Sequence, residues 1–171
     1  MTSRLKLRLK DPANVKRMTR QFDPEHLEDK IEYFEYFRGK DNKSELRVLK
    51  NSNGTITSAT IIPPADNGKT IFYSEKKIKS WKSAFAALKR RYVHEVSLTK
   101  EVQSYLLKDI KLKFCKIDGL GEFLEIDTQN PDHKLLEFIK NFGLGEKDIE
   151  TRPYNELILK TRKYARARIS V

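Results

Sequence analysis

Two carboxylates, Glu125 and Asp127, stand two residues apart in the stretch K-L-K-F-C-K-I-D-G-L-G-E-F-L-E-I-D, which runs from Lys111 to Asp127. Alternation along a β-strand puts such a pair on one face, roughly 7 Å apart. That spacing suits two acidic groups sharing one hard cation or one basic cluster. Two further cations, Lys111 and Lys113, alternate with Leu112 and Phe114 in the same stretch, and at the N-terminus Arg4, Lys6, Arg8 and Lys10 alternate with Leu5, Leu7 and Leu9. Four like charges on one strand face repel one another. Either they are solvated or they line a place that receives an anion. The chemistry open to these residues is cation sharing, anion capture, or none beyond that of a solvated face.

The elements that must position them follow from periodicity. The central stretch reads as a β-hairpin: an alternating strand, a Gly119-Leu120-Gly121 turn, then a strand with Leu124 and Ile126 on one face and Phe123, Glu125 and Asp127 on the other. After the first strand, Asp11-Pro12 predicts a helix to about Phe22, with Asp11 capping and Pro12 at the first helical position. Strands are expected over Glu28–Phe37, Glu45–Leu49, Thr55–Ile62 (after the turn Asn51-Ser52-Asn53-Gly54) and Thr70–Ile78. Trp81, Phe85, Leu88 and Tyr92 recur at helical spacing, so a helix is expected over about 80–92. Val93–Leu98, Val102–Leu107 and Ile110–Ile117 read as short strands. Pro131 opens a helix carrying Leu135, Leu136, Ile139 and Phe142 and ended by Gly143. Arg152–Leu159 is expected as a last strand or short helix, followed by a basic tail that reads as a solvated, disordered end. The pattern as a whole is α+β, dominated by an antiparallel sheet or barrel.

A chain of 171 residues with nine Phe and seven Tyr is long and aromatic enough for one folded domain with its own core. No apolar run approaches the roughly eighteen residues of a membrane span, and the basic, alternating N-terminus does not read as a signal peptide. The lone Cys115 excludes an internal disulfide and a zinc finger; it points to a reducing compartment, cytoplasmic, with a nuclear one left open. Net charge is +11, and removing Lys160, Arg162, Lys163, Arg166 and Arg168 of the tail still leaves +6. The body is basic in its own right, which favours phosphates, nucleotides or RNA as partners. His26, His94 and His133 are scattered without metal spacing and read as surface residues, and Cys115 as a small buried hydrophobe. There is no Ser-His-Asp arrangement, P-loop or dinucleotide fingerprint.

In combination these motifs resemble a known family. G-L-G-E-F-L-E-I-D at 119–127, preceded by a basic alternating strand, is similar to the signature hairpin of CYTH domains, the triphosphate tunnel metalloenzymes, nearest the class IV adenylyl cyclases. R-L-K-L-R-L-K-D-P at 4–12 sits where that family's first strand and helix begin, E-L-R-V-L-K at 45–50 where its arginine-bearing strand falls, and R-P-Y-N-E-L-I-L at 152–159 resembles its closing Ser-Tyr-x-x-Leu-Leu segment. The resemblance implies a closed antiparallel barrel of about eight strands with flanking helices: a tunnel domain over 1–159, followed by the basic tail at 160–171. Leu5, Leu7 and Leu9 would face outward under the helices. It also implies phosphate-binding roles for Lys6, Arg8, Arg47, Lys100, Lys111 and Lys113, and metal-binding roles for Glu125 and Asp127, with Mg²⁺ or Mn²⁺ as the cofactor of a catalytic member.

The departures bear on activity. The family's Glu-x-Glu-x-Lys falls on Thr2, Arg4 and Lys6, so only the lysine survives; an aspartate of the hairpin falls on Cys115, a lysine near Ile62, and a further glutamate on Ser74 or Glu75. The expected function is capture of a triphosphate, nucleotide or other polyphosphate, with metal-dependent catalysis impaired or lost and no cofactor needed. The alternative is an active Mg²⁺- or Mn²⁺-dependent triphosphatase or cyclase, in which Glu45 or Glu75 joins the acidic pair. A third reading is RNA or RNA 5′-triphosphate binding through the basic tail with its interleaved Tyr164 and through the aromatics at 33–37. No membrane partner is expected, and a homodimer is left open.

Overall fold

A computed structural model of the chain describes residues 3–40, 45–50, 52, 56–62, 90–128 and 134–169. The described elements are strands β1 (Ser3–Arg8), β2 (Glu25–Gly39), β3 (Glu45–Lys50), β4 (Ile56–Ile62), β5 (Tyr92–Leu107), β6 (Ile110–Ile117) and β7 (Gly121–Thr128), with helices α1 (Pro12–Arg20), α2 (Lys134–Lys140) and α3 (Tyr154–Ile169). The strands form one sheet in the order β1-β7-β6-β5-β2-β3-β4. Every strand pair whose register is described is antiparallel. The α+β class is as expected, with seven strands among the described residues where about eight were anticipated. No helix among those residues is long and apolar enough to cross a membrane.

The chain divides into two compact units, Met1–Lys30 with Lys100–Val171, and Ile31–Thr99. In the first, alternation does what the sequence predicts. Leu7 and Leu9 of the N-terminal strand region, Leu112 and Phe114 of β6, and Leu124 and Ile126 of β7 bury one sheet face against Val15 of α1, Ile139 of α2 and the following Phe142. Fully burying each such side chain is worth about 1.5–3 kcal/mol, so this face anchors the hairpin. Asp11 caps α1, its Oδ1 accepting from the Asn14 N–H at 3.0 Å. After α2, Gly143 (φ +71°) closes a Schellman motif: the Leu144 N–H donates to Ile139 O and the Gly143 N–H to Lys140 O.

In the second unit, Phe37, Leu46 and Val48 form a small cluster joined by Ile56 and Tyr92. Glu35 pairs with Lys50, and Arg38 with Glu95.

Four expectations are corrected. Strands over Val93–Leu98 and Val102–Leu107 are one sixteen-residue strand, because Thr99-Lys100-Glu101 contains no turn former and Val96, Leu98, Lys100, Val102 and Ser104 continue a single buried face. Tyr92 starts that strand instead of ending a helix, the hydrogen bond from Lys40 N–H to Arg91 O marking the approach. β2 begins three residues before its expected start, at Glu25. The closing segment is a helix that continues through Ile169, across residues expected to be a disordered tail. The strand expected over Thr70–Ile78, the helix over 80–89 and the turn residues Asn51, Asn53 and Gly54 lie outside the described residues, as do Thr2, Ser74, Glu75 and His133.

Candidate anion-binding face

Opposite the apolar face, the hairpin carries its charges. The three-residue loop Asp118–Leu120 joins β6 to β7, with Gly119 and Gly121 at φ of +77° and +96°, where a side chain on the α-carbon is strained. This turn sets the register: Lys111 opposite Asp127, Lys113 opposite Glu125, Cys115 opposite Phe123. β1 adds Lys6 beside Glu125 and Arg8 beside Phe123, and β5 adds Ser104 beside Lys113. One row across four neighbouring strands thus reads Lys6, Glu125, Lys113, Ser104.

Side chains on this face meet as ion pairs. Lys100, 7% exposed, donates to Oε1 of Glu125, 3% exposed, at 2.8 Å. The Tyr154 hydroxyl, from the first residue of α3, donates to the same oxygen at 2.8 Å. Lys113 holds Oδ2 of Asp127 at 2.5 Å. Lys111 lies 3.8 Å from Glu28. The ammonium of Lys6 stands 4.4 Å from the Tyr154 ring centroid and donates to the Arg152 carbonyl. Burial pulls the Lys6 pKa below its ordinary value, while Glu150 and Glu125 pull it back up. Arg8 reaches the Leu120 carbonyl at 3.3 Å, lies 3.8 Å from Glu150 and stacks 4.9 Å from the Phe123 ring centroid.

The edge of β1 is closed by residues 149–154. Ile149 bridges Leu7, and the Glu150 N–H donates to Lys6 O at 2.8 Å. Arg152 grips Glu150 through two side-chain hydrogen bonds, of 2.9 and 2.8 Å, and one from its backbone N–H. Chiefly through that side-chain grip, the Glu150 carboxyl is held down at about 2.

Five of the six expected cations, Lys6, Arg8, Lys100, Lys111 and Lys113, therefore share a face with Glu125 and Asp127. Arg47 belongs to the other unit, in register with Tyr36 and Thr60, its guanidinium 5.9 Å from the Phe34 ring centroid. Cys115 is buried, as expected, and His26 and His94 are exposed. Sequence reasoning missed Glu150 and Ser104. Glu150 could have been suspected from the arginine two residues on, and Ser104 from carrying the Val96-Leu98-Lys100-Val102 alternation two residues further. Tyr154 was legible only as part of a motif.

No family model and no curated protein sequence matches the chain. Solved structures do. A conserved hypothetical protein from Pyrococcus furiosus is 23% identical, with a TM-score of 0.72 over 92% of this chain and 100% of its own. A candidate adenylate cyclase from Vibrio parahaemolyticus is 20% identical, with a TM-score of 0.69 over 93% of this chain and 97% of its own. An adenylyl cyclase-like protein from Hippeastrum, for which a dominant triphosphatase activity is described, is 15% identical, with a TM-score of 0.68 over 94% of this chain and 96% of its own. At these identities the likeness is one of fold: over more than nine-tenths of its length the chain carries the fold of these three proteins.

Proposed function

We propose that the charged face around Glu125 binds a triphosphate-bearing nucleotide or another polyphosphate, and that metal-dependent catalysis is lost or impaired. The observation that carries this reading is the pairing of both carboxylates: Glu125 with Lys100 and Tyr154, and Asp127 with Lys113. A hard divalent cation such as Mg²⁺ is held through one or two carboxylates that are open to it, with waters and phosphate oxygens completing about six oxygen ligands. Among the described residues no three His, Cys, Asp or Glu side chains gather as a metal group. In this reading the lysine-paired carboxylates Glu125 and Asp127 are a poor donor set for Mg²⁺ or Mn²⁺, and no step is routed through either. The five cations still outnumber Glu125, Asp127 and the neighbouring Glu28 and Glu150, and this excess fits a polyanion instead. Its phosphate oxygens would draw Lys113 and Lys6 by charge-assisted hydrogen bonds, in surroundings dry enough to strengthen them. In this reading the sheet closes into a barrel with the basic face turned inward.

Calorimetric titration of tripolyphosphate and ATP tests the proposal. Binding is expected in EDTA, unchanged by Mg²⁺, weakened by added salt and reduced by Lys111→Ala. No binding at moderate salt would refute it. The enzymatic alternative draws on the shared face of Glu125 and Asp127 and on the activity described for the Hippeastrum protein. Release of phosphate, pyrophosphate or cyclic nucleotide with Mg²⁺ or Mn²⁺, abolished by Glu125→Gln, would establish that alternative instead. RNA binding whose salt slope falls on deletion of residues 160–171 would point to the basic C-terminal helix as a separate nucleic-acid surface.

A further inference from the structure

One group on the charged face is left without a role by the ion pairs. Ser104 lies beside Lys113 in the row that continues to Glu125 and Lys6. It is 0% exposed, and its Oγ has no hydrogen-bond partner among the described residues. Buried hydroxyls without partners are uncommon, because the desolvation they suffer is not repaid. Alanine would fill the same place without that cost. The nearest charged neighbour in the row is already engaged, since Lys113 turns to Asp127.

We infer that Ser104 is a ligand-binding residue: its hydroxyl donates a hydrogen bond to a phosphate oxygen that enters beside Lys113, as the ammonium turns from Asp127 to the anion. The inference rests on the polyphosphate reading and adds to it a neutral donor. A hydroxyl rotates to suit its acceptor and donates a single directed bond, so it complements lysines, which supply charge with little direction. Such a donor favours a tetrahedral oxyanion over a diffuse polyanion of equal charge.

Titration of tripolyphosphate into the full-length chain decides the matter, with Ser104→Ala, Ser104→Thr and Ser104→Val compared by calorimetry and by thermal melting. A hydrogen bond to a charged group is worth about tenfold or more in affinity, so Ser104→Ala should bind at least about tenfold more weakly while melting at or above the wild-type temperature. Thr keeps the hydroxyl and Val copies its shape without it. Thr should therefore bind at least about tenfold more tightly than Val, whatever strain the extra methyl brings. Equal affinities for Thr and Val, or wild-type affinity in Ser104→Ala, would overturn the inference while leaving the polyphosphate reading intact. No binding by the wild type would overturn both.

Discussion

Lys100 and Glu125 form a buried ion pair across the charged face, 2.8 Å apart, with their side chains 9% and 4% exposed. Taking two charges out of water costs several kcal/mol each; here each charge offsets the other's burial and Tyr154 adds a second hydrogen bond to Glu125. Removing one partner takes away the charge that offsets the other's burial. Lys100→Met should therefore destabilise the chain by about 3–5 kcal/mol, and Lys100→Met combined with Glu125→Leu should recover most of that loss. Tyr154→Phe should cost about 1.5–3 kcal/mol, the worth of a hydrogen bond to a charged group. Denaturant titration of Lys100→Met, Glu125→Leu, the double variant and Tyr154→Phe checks this; additive losses in the double variant would contradict the pairing.

Acid should act through Glu150. Its carboxyl is held at about 2, against an ordinary 4.5, first by the side-chain hydrogen bonds from Arg152. A carboxyl with a depressed folded-state pKa is protonated in the unfolded chain first, so its contribution to stability is complete above about 4.5 and lost as pH falls towards about 2. Arg152→Ala should lower the melting temperature at neutral pH and flatten its fall across that window. An acid limb as steep as in the wild type would count against the assignment.

Much of this architecture was legible in the residues. The apolar alternation of Leu112, Phe114, Leu124 and Ile126 and the glycines at 119 and 121 fix both the hairpin and which of its faces is charged, because a period of two and a positive φ leave few alternatives. The long β5 was not legible. Lys100 in a run of Val and Leu looks like an interruption until its partner Glu125, twenty-five residues away in sequence, makes it a buried position. The same blindness hid Ser104. Helix α3 was half seen, since Arg152-Pro153 marks its start but a basic run gives no periodic apolar signal for its extent. The Glu150–Arg152 clasp became visible only when Ile149 was found against Leu7.

The hairpin turn makes a local prediction. Gly121 sits at φ +96°, and a Cβ built there meets nothing within 4 Å, so Gly121→Ala is opposed by backbone strain alone. The cost should be about 1–2 kcal/mol. Because β6 and β7 set the register of the charged face, the loss should appear in chemical denaturation and in tripolyphosphate affinity together. Loss of affinity with unchanged stability would mean that the turn touches the ligand directly.

Lys6 is where stability and binding should pull apart. Burial depresses its pKa below 10.5, and this outweighs the raising effects of Glu150 and Glu125. The folded chain thus holds the Lys6 proton less tightly than the unfolded chain, so the charged ammonium works against folding at neutral pH. That opposition is relieved as pH rises from the depressed value towards 10.5, the reverse of the carboxylate case. Lys6→Met keeps much of the side chain's length, gives up the contacts to Arg152 O and the Tyr154 ring, and removes a charge that burial disfavours. Its melting temperature at pH 7 should equal or exceed the wild-type value, and the rise in wild-type stability with pH approaching 10.5 should be smaller in the variant. Tripolyphosphate affinity should fall by about tenfold, as expected for loss of a charge-assisted hydrogen bond. A protein built only for stability would not retain an ammonium there; one that receives an anion beside Glu125 would. Thermal melts across pH 7–10.5 and calorimetry on the same variant decide it, and lower stability with unchanged affinity would assign Lys6 to the scaffold alone.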